Sequence, residues 1–245
     1  MLLAPPKITW SSSALFLDVD GTLLDIAERP QDVSADQVLV ITLQTVADAL
    51  DGAMALISGR QVADINRLFH PACFPTSGAH GAEYQDAAGR RHNKAVKPLP
   101  TTAVREIVAF ADSYPELLLE HKENGVALHY RQAPDLQSTC RQMMTSLALD
   151  IEDDFRLIDG KMVYELTPRS LDKGVAIVEF LRAEPFLGRK PVYVGDDTTD
   201  EDGFAATNRL SGISIRVGRT QKTEASFALE DVGAVHRWLE KIIRK

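Results

Sequence analysis

The chain is poor in cysteine, has no long apolar run and carries no excess of positive charge. Its two cysteines, Cys73 and Cys140, stand far apart, which excludes a disulfide framework and predicts buried free thiols. No segment approaches the roughly 20 apolar residues a membrane-spanning helix needs. Met1 to Trp10 holds two prolines and a lysine and lacks the apolar stretch of a secretory signal. These absences predict a cytoplasmic, soluble protein with no membrane partner; a monomer is expected. Lys and Arg number 27 against 35 Asp and Glu, a net charge of −8. That sign excludes non-specific nucleic-acid binding, and an anionic ligand would need a local cation to overcome it. Nothing is low in complexity. At 44% hydrophobic and 25% charged, the 245 residues suit one large α/β domain or two smaller ones.

What is present is a rhythm of short apolar strands and amphipathic helices. Leu15–Leu17 reads as a buried strand. A polar connection over Glu28–Arg29–Pro30 to Val33 follows, then a helix opened by Ser34 with Gln37 completing a capping box. Leu39, Leu43, Val46 and Leu50 form its apolar stripe, and Asp51-Gly52 ends it. Ala53–Ile57 is a second buried strand, leading to Ser58-Gly59-Arg60 and a helix from Val62 to Phe69 with Ser58 as its cap. Strand, helix, strand with apolar runs predicts a parallel sheet whose strands end at a common edge. Ala88-Gly89 reads as a hairpin tip.

From Pro98 the rhythm changes. A helix over Val104 to Ala111 precedes strands at Leu117–His121 and Val126–Arg131, turned at Asn124-Gly125. A helix over Pro134–Leu147 precedes strands at Phe155–Ile158 and Lys161–Leu166, turned at Asp159-Gly160. Hairpins imply antiparallel pairing. Residues 98–169 are therefore expected to be an inserted α+β domain of order α-β-β-α-β-β, within a discontinuous α/β core of residues 1–97 and 170–245. The core resumes with a helix at Asp172-Lys173-Gly174, strands at Pro191–Val194 and Ile213–Val217, and a last helix over Val235–Ile243.

Two acidic strings stand at strand ends. In Leu17-Asp18-Val19-Asp20-Gly21-Thr22 the carboxylates at i and i+2 project to one side of extended backbone. They meet where open α/β sheets place ligands. Crowded carboxylates need a proton, a donor cluster or a cation, and Mg²⁺ suits one or two carboxylates plus phosphate oxygens. The plainer reading is an Asx turn after a strand. In Gly195-Asp196-Asp197-Thr198-Thr199-Asp200-Glu201-Asp202, a favourable helix dipole accounts for Asp200 to Asp202. It does not account for Asp196 and Asp197 at the end of a buried strand. Beside Asp18 on a parallel sheet, Asp196 would complete a set of hard oxygen ligands.

The first string resembles the opening motif of the haloacid-dehalogenase-type phosphatases. That resemblance implies a Rossmann-like core, with Asp18 as nucleophile and Asp20 as general acid and base. Ser58 and Gly59 match the second motif, which binds the phosphoryl group, a role a helix N-terminus also supports. Lys173 matches the third; alone it would read as a solvated lysine at a helix start. Gly195-Asp196-Asp197 matches the fourth. The metal set implied is Asp18, Asp20 and Asp196 holding Mg²⁺, with Asp197 or Asp200 as a further contributor.

A narrower resemblance, spanning Leu15 to about Leu210, is to the trehalose-6-phosphate phosphatases. It rests on Leu56-Ile57-Ser58-Gly59-Arg60, Gly78-Ala79-His80-Gly81-Ala82-Glu83, Ala127-Leu128-His129-Tyr130-Arg131 and the string from Gly195 to Glu201. It implies a cap whose Glu120, Lys122 and Glu165 bind sugar hydroxyls; alone, Glu120 and Lys122 read equally as a solvated strand face with an ion pair. His80 is either a pocket residue or structural. The implied activity is Mg²⁺-dependent hydrolysis of trehalose 6-phosphate through an aspartyl-phosphate. The alternatives are a phosphatase for another sugar phosphate, such as a glycosyl-glycerate or sucrose phosphate, and a non-catalytic sugar-phosphate sensor.

Overall fold

A strand with every side chain buried needs cover on both faces of its sheet, and Ser13–Leu17 is such a strand. The computed structural model describes all residues except 1, 27–32, 123, 161, 220, 221, 244 and 245. The connection expected over Glu28–Val33 therefore lies almost wholly outside the described residues, as do Glu123 and Lys161.

In chain order, residues 1–94 carry β1 (Ser13–Leu17), α1 (Gln37–Ala49), β2 (Met54–Ile57), α2 (Val62–Leu68), β3 (Thr76–Gly78), β4 (Glu83–Gln85) and β5 (Arg91–Asn93). Residues 95–171 carry α3 (Thr101–Asp112), β6 (Leu118–Lys122), β7 (Gly125–His129), α4 (Gln137–Asp150), β8 (Phe155–Gly160) and β9 (Val163–Pro168). The remainder carries α5 (Lys173–Phe180), β10 (Lys190–Gly195), α6 (Glu201–Arg209), β11 (Ile213–Val217), β12 (Phe227–Leu229) and α7 (Val232–Ile243). Residues 1–94 and 172–245 form one compact unit, and residues 95–171 a second.

The first unit is built on an eight-stranded sheet of order β12-β11-β10-β1-β2-β3-β4-β5. The six strands from β12 to β3 run parallel, and β4 and β5 add an antiparallel hairpin at the edge. The hairpin tip at Ala88-Gly89 is as expected, with Gly89 at φ +77. The chain leaves β1 for β2 on one side and returns as β10 on the other, so β1 borders the switch point where such sheets bind ligands. Phe16 of β1 packs against both Phe180 and Phe186, ring centroids 5.9 and 5.6 Å away. Aromatic contacts of this kind add about 0.5–1.5 kcal/mol each beyond burial.

The second unit has a four-stranded antiparallel sheet of order β6-β7-β9-β8 and the expected order α-β-β-α-β-β. One sheet face, with Leu119, Val126, Leu128, Tyr164 and Leu166, packs with Ile107 of α3 and Cys140, Met144 and Leu147 of α4.

Several local expectations are corrected. The cap of α1 is Asp36, whose carboxylate accepts the Leu39 N–H at 2.7 Å, not Ser34; a carboxylate there also gains from the helix dipole. Ser58 does not cap α2. The free Val62 N–H instead donates to Glu83 at 2.7 Å. Asp159 and Gly160 belong to β8, which pairs through to Gly160↔Val163, so the turn falls later and Met162 takes φ +64. Pairing Leu157 with Leu166 keeps both on the apolar face, and that register overrides the turn dipeptide. Gly125 likewise pairs within β7 rather than turning. Strand β7 stops at His129, before Arg131, and α7 starts one turn earlier than expected. Cys140 is buried as expected, but Cys73 is exposed. Among the described residues no helix is long and apolar enough to cross a membrane.

Candidate active site

Parallel strands in register deliver their carboxyl ends to one rim. Leu17 pairs with Val194 of β10 and with Leu56 of β2, and the Asp18 N–H donates to the Val194 carbonyl at 2.9 Å. Asp18, Ser58 and Asp196 thus all leave the sheet at this rim. Gly21 is the turn that permits it. Its φ is +81, and a Cβ there would lie 2.1 Å from Asp196 Oδ2. We expect Gly21→Ala to cost about 1–2 kcal/mol for the left-handed backbone. It should also push Asp196 aside and lower divalent-cation affinity at least roughly tenfold, because 1.4 kcal/mol of misplacement suffices. Cation-dependent thermal shifts would measure this.

One carboxylate oxygen from each of Asp18, Asp196 and Asp200 lies within 4.8 Å of the others. Lys173, at the start of α5, is buried among them. Its ammonium donates to Asp18 Oδ1 at 2.8 Å and to Asp200 Oδ1 at 2.5 Å, so it is not the solvated lysine of the plainer reading. Asp172 caps the same helix, accepting the Val175 N–H at 2.6 Å. Asp200 is saturated with donors. Tyr193 Oη and Lys173 share Oδ1, and the N–H groups of Asp196 and Asp197 both donate to Oδ2 at 2.8 Å. The buried Asp196 Oδ1, by contrast, has no hydrogen-bond partner among the described residues.

Electrostatics follow from the crowding. Burial, with Asp200 and Asp196 adding repulsion, raises the Asp18 carboxyl well above the ordinary range, against the pull of Lys173. Burial and then Asp200 push Asp196 up to about 7. Burial works against the Lys173 ammonium, but Asp18 and Asp200 outweigh it and hold the group charged. One lysine does not neutralise three carboxylates. An acidic set in which Asp18 and Asp196 are both raised in pKa, with an Asp196 oxygen that has no partner among the described residues, fits a hard divalent cation.

Asp20 lies outside that acidic group. Its carboxylate is gripped by Arg60, with Nε to Oδ2 at 2.6 Å and Nη2 to Oδ1 at 2.7 Å. Sequence reasoning assigns Arg60 no role; its cue is its place directly after Ser58-Gly59, at the end of the Leu56–Arg60 string. Ser58 is buried at the end of β2, and its hydroxyl accepts the Arg60 N–H at 3.1 Å. Gly59 lies against the His80 ring. Asp197 caps the turn over Thr198–Asp200, accepting the Thr198 N–H at 2.6 Å, and is not in the acidic group.

Within the second unit, Glu120 and Glu165 are both paired with Ala127, from opposite sides. They therefore share the sheet face away from the helices. Lys122 bonds Glu165 at 2.6 Å, and His129 bonds Glu120 at 2.9 Å. Hydrogen bonding from His129 lowers the Glu120 pKa.

The fold is that of the haloacid-dehalogenase-like hydrolases. It is shared with a phosphatase of the haloalkanoate enzyme superfamily from Bacteroides thetaiotaomicron, 15% identical, with a TM-score of 0.66 and coverage of 97% of each chain. It is shared also with the C-terminal domain of C. albicans trehalose-6-phosphate phosphatase, 22% identical, with a TM-score of 0.83 over 100% of this chain and 98% of that one. The trehalose-phosphatase family profile matches residues 16–232. The trehalose-6-phosphate phosphatase of Escherichia coli (strain K12) is 43% identical over 236 residues, covering 94% of this chain and 86% of its own. The chain belongs to the trehalose-phosphatase family.

Proposed function

We propose that this chain is a phosphoric monoester hydrolase that converts trehalose 6-phosphate to trehalose and phosphate. The observation that most supports the chemistry is the meeting of Asp18, Lys173, Asp196 and Asp200 at one sheet rim. Asp18 is the nucleophile. Lys173 holds its Oδ1, leaving the other oxygen to attack phosphorus. The phosphorus–oxygen bond to the sugar breaks, its electrons pass to the sugar oxygen, and Asp20 delivers the proton. Water then attacks the aspartyl-phosphate, Asp20 takes its proton, and phosphate departs with Asp18 restored. Ser58 and Gly59 bind phosphoryl oxygens at the end of β2, and Lys173 balances their charge.

The cation in this reading is Mg²⁺. The residues that would hold it are Asp18 and Asp196, whose oxygens converge, with Asp20 two residues along the same strand end. Asp200, already saturated by donors, orients Lys173 and the Asp196 backbone instead. When bound, the ion supplies Lewis-acid stabilisation of charge on the phosphoryl oxygens. Glu120, Lys122 and Glu165 supply sugar recognition; they lie together on one polar sheet face, as three contacts to one disaccharide require.

Phosphate release from a panel of sugar phosphates, with and without Mg²⁺, tests this reading. Trehalose 6-phosphate should be the best substrate, and chelation should abolish turnover. Preference for another sugar phosphate would move the assignment to that ester, and undiminished turnover in chelator would remove the metal. The cation must also displace the Asp196 proton. Mg²⁺ affinity should therefore rise as pH climbs through about 7, where Asp196 loses that proton. The sign for stability is opposite. Asp18 and Asp196 have folded pKa values above their unfolded ones, so the metal-free chain loses stability as pH rises from the ordinary carboxylate range through about 7. Titration calorimetry and melting across pH 5–8 would measure both.

A further inference from the structure

A general acid and base must present its oxygen to the leaving group within a few tenths of an ångström, yet Asp20 sits on a turn at the end of β1. Its carboxylate is fixed from outside that turn. Arg60 offers a planar fork, and both of its bonds to Asp20 are short, 2.6 and 2.7 Å. A two-point fork fixes direction as well as distance, which a lysine cannot do. Arg60 is itself held. Its carbonyl accepts the Ala79 N–H at 2.8 Å, and the Ser58 carbonyl accepts the His80 N–H at 3.2 Å. The His80 ring packs on Gly59, where a Cβ would lie 2.6 Å from Nε2. Glu83 accepts the Val62 N–H at 2.7 Å.

The segment making these contacts is strained. Ala79, His80 and Gly81 have φ of +47, +55 and +106, a left-handed run that non-glycine residues adopt only when their surroundings impose it. The string from Gly78 to Glu83 is thus a brace around Ser58-Gly59-Arg60.

We infer that Arg60 is a positioning residue for proton transfer, orienting Asp20 toward the leaving oxygen, and that residues 78–83 brace it there. The inference rests on the assignment of Asp20 as acid and base. Arg60 does not touch the reacting atoms in this account. Its removal should therefore be felt in proportion to how badly the leaving group needs a proton.

The test compares kcat/KM of the parent, Arg60→Lys and Arg60→Ala on trehalose 6-phosphate and on p-nitrophenyl phosphate, with melting curves as a folding control. The constant kcat/KM covers steps through departure of the leaving group, so the shared hydrolysis of the aspartyl-phosphate does not enter. A sugar alkoxide needs the proton; p-nitrophenolate leaves without it. Arg60→Ala should lower kcat/KM on the sugar ester roughly 30–100-fold, within the range of general acid catalysis, and on the aryl ester less than about 3-fold. Arg60→Lys should recover only a minor part, and Glu83→Gln should show the same discrimination at roughly 3–10-fold. Equal losses on both esters, no loss on either, or full rescue by lysine would overturn the positioning role. If Arg60→Ala fails to fold, Arg60→Lys and Glu83→Gln decide the matter. A parent inactive on trehalose 6-phosphate would sink the substrate reading alone; the comparison is then made with the sugar phosphate it hydrolyses best.

Discussion

Asp18→Asn is expected to lower phosphate release by at least about 10⁴-fold while raising the melting temperature of the metal-free protein. An amide oxygen is far too weak a nucleophile to displace a sugar from phosphorus, and loss of a nucleophile leaves only the contribution of binding and electrostatics. Stability should move the other way. Asp18 is buried and raised in pKa by that burial and by its acidic neighbours, so its ionised form is a liability to the empty site. Asn keeps an oxygen for the Lys173 ammonium, now 2.8 Å from Asp18 Oδ1, and removes one of three like charges. Mg²⁺ should raise the melting temperature of the variant less than that of the parent. Turnover within tenfold of the parent would deny Asp18 the nucleophilic role. An unchanged Mg²⁺ shift would deny it the metal.

Lys173→Met should do the greatest damage to stability of any single change at this rim. The residue is 3% exposed, and its ammonium bridges Asp18 and Asp200. Removing one partner from a buried ion pair costs about 3–5 kcal/mol, because the remaining charges stay desolvated and uncompensated. For a chain of this size that is a fall of roughly 6–20 °C in the transition of the unit holding the site. The loss should be larger at pH 8 than at pH 5, since the raised carboxyls can take up protons in acid. Combining Lys173→Met with Asp18→Asn should recover part of it, a coupling that a double-mutant cycle would read directly. Melting the four proteins in chelator at both pH values is sufficient. Additive losses would show that the lysine acts elsewhere.

The α/β pattern was legible because buried strands and amphipathic helices write their periods into hydrophobicity. The carboxylates of Asp18 and Asp196 were legible because both follow short apolar runs, and parallel strands end at one edge. The turn dipeptides at Asn124-Gly125 and Asp159-Gly160 do not mark the turns themselves, since Gly125, Asp159 and Gly160 pair within strands. They signal a reversal, but register is decided by which side chains face the helices, as Leu157 paired with Leu166 shows. Ser34 and Ser58 failed as helix caps for a related reason: each was replaced by a carboxylate better placed for the free N–H, Asp36 nearby and Glu83 from another strand.

By itself, then, the sequence determined the alternation of strand and helix, the insertion at the middle of the chain, and which acidic residues stand at strand ends. Tertiary structure alone decided that Asp200 is the hub for Lys173, Tyr193 and two backbone amides, and that Arg60 grips Asp20. The reason is range. Local patterns record what each residue does for its own helix or strand, whereas a buried charge finds its partner only after distant segments have folded against one another.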